Sequence, residues 1–333
     1  MKLKFENQAF QLQAIESTVN LFSGMHTITL SEQLSNQSEI LSYDIVANGL
    51  QLNNDLLLSN LQGIQLANSL GNYSTELCYG NYTEIPNFSI EMETGTGKTY
   101  VYLRTAFELN KRHGLTKFII VVPSDAIRAG VLKSLEITKE HFKSEYNNIS
   151  YDYYQYDSDK ISKVRDFATT NSIQIMVMTI SAFNKDINNI YAFKDKFGEY
   201  RPIDLVAAVK PVVIIDEPQS VDNTENAKEA IKKLNPLFIL RYSATHKNDY
   251  NQIYKLDAID AYNQKLVKQI EVASIEDADF IALDNKPYIK VIEINAKLEL
   301  SLELDVQDIK GKITRKILKK VTKGSDLQEK TNN

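Results

Sequence analysis

The chain predicts an α/β fold, a parallel sheet with helices on both faces, followed by a smaller β-rich extension. Three observations carry this reading. From about residue 86, short runs rich in Val and Ile alternate with longer amphipathic stretches, as expected of strands joined by crossover helices. Those runs are apolar at nearly every position rather than at every second one, which marks central strands covered on both sides. Beyond about residue 256 the pattern becomes the period-two alternation "LELSLELDV" at 298–306, followed by the basic "KGKITRKILKK" at 310–320.

Ahead of the sheet, an N-terminal helix leads into residues 24–88, which are rich in Asn, Ser and Leu and have no strong period. There "NGLQLNND" at 48–55 resembles a hairpin turn between short polar strands, so the segment reads as an insertion. The clearest strands are "KFIIVVP" at 117–123, "IQIMVMT" at 173–179, "PVVIIDE" at 211–217 and "LFILRYS" at 237–243. A helix is expected from Lys98 to about His113, closed by Gly114, and a second behind Ser124, a good N-cap residue, in "SDAIRAGVLKSLEI". Both helices begin where a strand has just ended. In open parallel sheets, the crevice at the carboxyl ends of the strands is where ligands bind. The expected division is therefore 1–255 for the α/β lobe and 256–333 for the β-rich extension.

With 333 residues, 43% hydrophobic and 24% charged, the chain can bury a substantial core. The single Cys78 rules out a disulfide framework and suits a reducing interior. No apolar run approaches the roughly 20 residues that span a bilayer, and "MKLKFENQAF" lacks the apolar centre of a secretory signal. A cytoplasmic protein without a membrane partner is expected. A net charge of -5 argues against coating nucleic acid by bulk attraction, although a local basic groove stays compatible with it.

The chemistry gathers at strand ends. Residues 91–99 read "EMETGTGKT", a phosphate-binding loop with Met92 where the strict pattern has its first glycine. Gly95 and Gly97 allow the tight backbone, and the N–H groups of Thr94, Gly95, Thr96 and Gly97 can point at phosphate oxygens, helped by the helix dipole. Lys98 suits the β- and γ-phosphates, and the Thr99 hydroxyl suits Mg²⁺. Met92 falls at the strand end of the loop, where packing matters more than phosphate contact. Roughly 120 residues downstream, "VVIIDEPQ" at 212–219 delivers Asp216 and Glu217 at a strand end. Asp216 can hold the hydration shell of a magnesium ion while Glu217 orients or deprotonates the attacking water. A third strand ends in "YSAT" at 242–245, whose small hydroxyls can bond the acidic pair and report the state of the phosphate.

In this order, "GTGKT", "DEPQ" and "SAT" resemble motifs I, II and III of superfamily 2 helicases, and "DEPQ" resembles the restriction (Res) subunits of type III restriction-modification enzymes. "FQLQAI" at 10–15 is similar to an upstream element of the same family. The resemblance covers about residues 1–260 and implies a RecA-like ATPase lobe using ATP and Mg²⁺. It implies that Gln11 reads the adenine edge with Phe10 in support, and that Gln219, Ser243 and Thr245 couple the phosphate site to the rest of the protein. "VVPSDAIRAG" at 121–130 and "MTISAFN" at 178–184 resemble elements that touch the DNA backbone, which makes Ser124, Arg128 and Thr179 candidates for that contact. Helix capping by Ser124 and a solvated charge at Arg128 are the competing explanations.

By the same resemblance the partners are duplex DNA and the modification (methyltransferase) subunit. Relatives are longer, with a second RecA-like lobe and a nuclease domain, neither of which is recognisable before Asn333. The expectation is an N-terminal portion with weak ATPase activity on its own and without the nuclease. A stand-alone ATPase or nucleotide switch unrelated to DNA is the alternative, and a non-catalytic assembly module is a third. Three further features read as structural: the tyrosines of "YDYYQYD" at 151–157 as strand residues, the basic run at 310–320 as a solvated face, and His246 as a structural or exposed histidine.

Overall fold

The computed structural model describes residues 5–35, 44–82, 84–157, 160–185, 187–193, 200–246, 250–267, 289–295, 299–307, 312–322, 325 and 327. The chain divides into two compact units, Met1–Gln269 and Ile270–Asn333.

In the first unit, helices α1 (Ala9–Asn20), α2 (Leu30–Ser35) and α3 (Asn54–Ala67) precede strand β1 (Asn87–Met92). The alternating part follows: α4 (Lys98–His113), β2 (Lys117–Val122), α5 (Asp125–Glu145), β3 (Tyr151–Gln155), α6 (Ile161–Thr169), β4 (Ile173–Thr179), α7 (Pro202–Ala208) and β5 (Val212–Asp216). Then come α8 (Pro218–Val221), α9 (Glu225–Lys233), β6 (Phe238–Ser243), β7 (Gln252–Leu256) and α10 (Ala258–Asn263). The seven strands pair in the order β3-β4-β2-β5-β6-β1-β7, with every pair parallel. This is a RecA-like sheet.

Alternate residues of the central strands feed two different cores. Phe118, Ile120 and Val122 of β2 join Ile214 and Leu240 against α1, α4 and α5, through residues such as Ala14, Phe107 and Leu135. Ile119 and Val121 join Val213, Met176 and Ile239 on the other face, against Phe167 of α6, Val206 of α7 and Ile231 of α9. Both side-chain rows of each strand are thereby removed from water, which explains the continuous apolar runs. Helix α4 ends at Gly114, whose φ of +76° is left-handed and where a Cβ would lie 2.5 Å from the Ile28 carbonyl oxygen. Ser124 caps α5 by accepting the Ile127 N–H at 3.4 Å.

The sheet changes direction of growth around β1. The chain leaves β1, crosses to β2, goes out to β3 at the edge, steps back to place β4 between β3 and β2, then returns to place β5 and β6 between β2 and β1. The carboxyl ends of β1, β5 and β6 therefore lie side by side, although their residues come from three distant parts of the sequence.

One expectation changes. No hairpin occurs at 48–55: Asn53 accepts the Leu56 N–H at 2.8 Å as the N-cap of α3, and Asn48 is fully buried. The Asn48 amide donates to the carbonyls of Lys117 (2.9 Å) and Lys210 (3.2 Å), while its oxygen accepts the N–H groups of Thr116 (2.8 Å) and Lys117 (3.2 Å). The asparagines that suggested a turn instead satisfy backbone groups of the sheet and a helix start. The first unit includes β7, which adds to β1 as a parallel edge strand, and α10 after it. The tyrosines at 151–155 lie on β3, the opposite edge of the sheet.

The second unit contains β8 (Ile289–Ile294), β9 (Leu300–Gln307) and β10 (Ile313–Val321), antiparallel in the order β10-β9-β8. Leu302, Leu304, Leu318 and Val321 form its small core. Of the basic run, residues 310 and 311 lie outside the described residues; β10 exposes most of the rest, and Arg315 pairs with Asp305 at 2.8 Å.

Candidate functional site

The loop between β1 and α4 shows why Met92 is compatible with phosphate-loop geometry. Its side chain is fully buried in the core, and its carbonyl oxygen accepts a hydrogen bond from Lys98 Nζ at 3.2 Å. Thr96 turns back on Glu93, with its hydroxyl donating to the Glu93 carbonyl at 2.6 Å, and the Thr94 N–H donates to Glu93 Oε1 at 2.7 Å. Gly97 has φ +90°, and a Cβ there would lie 2.5 Å from the Gln11 side-chain nitrogen. The left-handed backbone disfavours any larger residue there, and a Cβ would displace the Gln11 amide. Gln11 donates to the Thr96 carbonyl at 2.9 Å, so the N-terminal helix touches the loop directly, and Phe10 packs against the adjoining core.

Across from the loop, β5 presents Asp216, which is 6% exposed, and Glu217 follows with left-handed backbone at φ +55° and ψ +65°. A glutamate pays about 1 kcal/mol for that conformation, and neighbouring bonds hold it there. Its N–H donates to the Tyr242 carbonyl at 2.9 Å. Its carboxylate receives Gln219 Nε2 at 2.7 Å and lies 3.0 Å from the Ser243 hydroxyl. Lys98 Nζ lies 3.3 Å from the other carboxylate oxygen. Ser243 Oγ is also 3.0 Å from Gln219 Oε1 and 2.8 Å from the Thr245 carbonyl, and accepts the Thr245 N–H at 3.2 Å. Lys98, Glu217, Gln219, Ser243 and Thr245 thus form one hydrogen-bonded group spanning the ends of β1, β5 and β6.

The two acids differ in character. Burial pushes the Asp216 carboxyl up to about 6, and the adjacent Glu217 charge adds to the rise. Burial also acts on Glu217, but the bonds from Gln219 and Ser243 and the charge of Lys98 outweigh it and bring that carboxyl below its ordinary value. Environments that separate two neighbouring carboxyls in this way equip them for different tasks. The Asp216 carboxylate and the Thr99 hydroxyl are oxygen donors of the kind that would suit a hard divalent ion such as Mg²⁺, which typically takes one or two carboxylates plus water and phosphate oxygens.

Among the three residues considered for DNA contact, Ser124 is exposed and engaged as a helix cap. Arg128 pairs with Asp125 at 3.2 Å and borders a cleft of about 350 Å³ with Gln155, Asp157 and Asn188. Thr179 is buried, with its hydroxyl 3.1 Å from that of exposed Ser181. The structure does not gather these three into the group around Lys98. His246 Nε2 lies 3.3 Å from the Ile90 carbonyl, on the β1 side of the site.

Sequence reasoning missed Tyr102, whose hydroxyl donates to Asp216 Oδ2 at 3.3 Å. It also missed an ion pair behind the site. Arg241, 3% exposed, pairs with Asp222, and the Tyr82 hydroxyl donates to the same carboxylate at 2.5 Å. Asp222 immediately follows α8 and Arg241 lies on β6, so the pair ties together the backbone segments carrying Gln219 and Ser243. The only sequence signal was two charges within or beside otherwise apolar strands.

Fold and site together define a RecA-like lobe of the phosphate-loop class. Residues 4–248 match the family described as "Type III restriction enzyme, res subunit", and the chain belongs to that family. It is 33% identical over 241 residues to the EcoP15I Res subunit of Escherichia coli, an alignment covering 66% of this chain and 24% of that protein. It is 31% identical over 288 residues to the EcoPI Res subunit of Escherichia phage P1, covering 80% and 28%. The chain thus spans about a quarter of the length of these relatives. A solved structure of a nuclease-deletion mutant of the Type ISP restriction-modification enzyme LlaGI, in complex with a DNA substrate mimic, aligns with 63% of this chain and 18% of its own, at 12% identity and a TM-score of 0.38. That likeness is too low to carry an argument. Among the described residues, no helix is long and apolar enough to cross a membrane.

Proposed function

We propose that this chain is the ATP-binding motor lobe of a type III restriction endonuclease Res subunit, working in the cytoplasm. In the whole enzyme, ATP hydrolysis would drive movement or switching on duplex DNA ahead of cleavage. The observation that carries the proposal is the convergence of Lys98, Asp216, Glu217 and Ser243 at three adjacent strand ends beside a glycine loop.

In this reading the loop N–H groups and Lys98 bind the β- and γ-phosphates, while Phe10 and Gln11 flank the base. Thr99 and Asp216 hold Mg²⁺, which when bound neutralises phosphate charge. Glu217, held ionised by its partners, accepts a proton from the attacking water or orients it. A change at Glu217 passes to Gln219 and Ser243 and on to Thr245, which gives the phosphate state a path into the lobe. Ser124, Arg128 and Thr179 mark the proposed DNA side. A second RecA-like lobe would supply charge to the transferring phosphoryl group, with a nuclease domain and the modification subunit completing the enzyme.

The test is turnover. This chain alone should hydrolyse ATP slowly, and adding a second lobe from a relative together with duplex DNA should raise the rate. Robust turnover by this chain alone, unaffected by DNA, would favour a stand-alone ATPase or switch and sink the motor reading.

A further inference from the structure

The phenol of Tyr102 reaches from α4, the helix that carries Thr99, to Asp216 at the end of β5. It sits one helical turn into α4 after Lys98, is fully buried, and has its ring edge-on to Tyr242 at 5.5 Å between centroids. Its hydroxyl donates to Asp216 Oδ2 at 3.3 Å, and Thr99 lies one turn earlier on the same helix.

We infer that Tyr102 is a positioning residue for the Mg²⁺ site, setting the spacing of Thr99 and Asp216 and leaving one Asp216 oxygen to face the ion. This rests on the proposed assignment of Thr99 and Asp216 to the nucleotide-bound cation. The topology gives Tyr102 a reason to be there. Thr99 belongs to the helix that follows β1, whereas Asp216 ends β5, and β6 lies between those strands. No ladder hydrogen bond joins β1 to β5. A side chain from the same helix as Thr99, reaching across to Asp216, supplies the link that the sheet does not. Groups that orient a metal ligand in this way commonly alter metal affinity when removed.

The experiment uses the full chain and Tyr102→Phe, which keeps the ring and deletes the hydroxyl. ADP binding is measured first in EDTA and then during titration with Mg²⁺. The expected result is unchanged ADP affinity in EDTA, together with an about tenfold rise in the Mg²⁺ concentration giving half-maximal tightening. Tyr146→Phe is the matched control: it removes another buried tyrosine hydroxyl, one that donates to Glu108 at 2.8 Å away from the loop. It should lower the melting temperature without moving the Mg²⁺ midpoint. An unchanged midpoint in Tyr102→Phe, or an equal shift in Tyr146→Phe, overturns the positioning role. Absence of any ADP response in the unsubstituted chain overturns the nucleotide assignment itself.

Discussion

Each end of the sheet carries a lysine, yet the two ends handle it in opposite ways. At the carboxyl end, Lys98 lies 3.3 Å from Glu217 and retains 11% side-chain exposure, in a group of polar residues facing an open loop. At the amino end, Lys117 begins β2 with no solvent exposure, and among the described residues its ammonium bonds to the Thr170 carbonyl alone. Beside it, Asn48 satisfies four backbone groups. The comparison separates a polar cluster that can exchange partners for a ligand from one whose valences are already filled by backbone. Buried polarity alone therefore does not mark a site; polarity gathered beside a glycine loop at a helix start does.

The contrast can be broken by substitution. Asn48→Ala should have the largest effect, a loss of about 3 kcal/mol in denaturant melts, because several buried backbone groups lose their partner at once. The thermal shift caused by ADP-Mg²⁺ should keep its size in that variant; a large change would mean that the amino end takes part in binding. Lys98→Ala should do the reverse. Its ligand-free stability should change by under ~1 kcal/mol, since removal of a partly exposed ion pair costs little. The ligand-dependent gain, about 2.7 kcal/mol at a hundredfold excess over Kd, should vanish from its melting curves. An undiminished shift would remove the phosphate assignment.

Lys117→Met sharpens the comparison through pH. Burial lowers the Lys117 ammonium from 10.5 to about 7, so between those values the unfolded chain binds more protons than the folded one. Stability of the unsubstituted chain must then rise with pH across that window, with the penalty fully present below the folded value. The Met variant should lack that rise and be more stable at neutral pH by on the order of 2 kcal/mol, the size expected after structural relaxation around the charge. Identical pH profiles would show that the ammonium is not desolvated. The smallest effect belongs to Ser243→Ala, about 1 kcal/mol. In a double-mutant cycle with Gln219→Ala the losses should fall short of additive by about 0.5 kcal/mol or more, as for residues sharing one network. Strict additivity would mean that the chain from Glu217 to Thr245 does not act as a unit.

Much of the fold was legible. The runs that form β2, β4, β5 and β6 are uniformly apolar because both strand faces are covered, and the starts of α4 and α5 are marked by Gly97 and Ser124. Residues 48–55 misled because Asn and Gly favour turns only when their side chains have no better use. Asn48 finds four backbone partners distant in sequence, and no local pattern reveals them. At the site, Lys98, Asp216, Glu217 and Ser243 were readable because motif residues sit next to strand ends. Tyr102 was not, since an aromatic in an amphipathic helix resembles any core residue until the opposing strand is known.

Sequence alone determined α4, α5, the buried strands β2, β4, β5 and β6 and the chemical types available at each strand end, because these depend on neighbours a few residues apart. Tertiary structure decided which ends meet. The return of β5 and β6 to lie between β2 and β1 brings Lys98 to 3.3 Å from Glu217 and the Tyr102 hydroxyl to 3.3 Å from Asp216. The physical reason is that strand order results from packing two cores on one twisted sheet, a global balance of buried surface that no short window of residues contains.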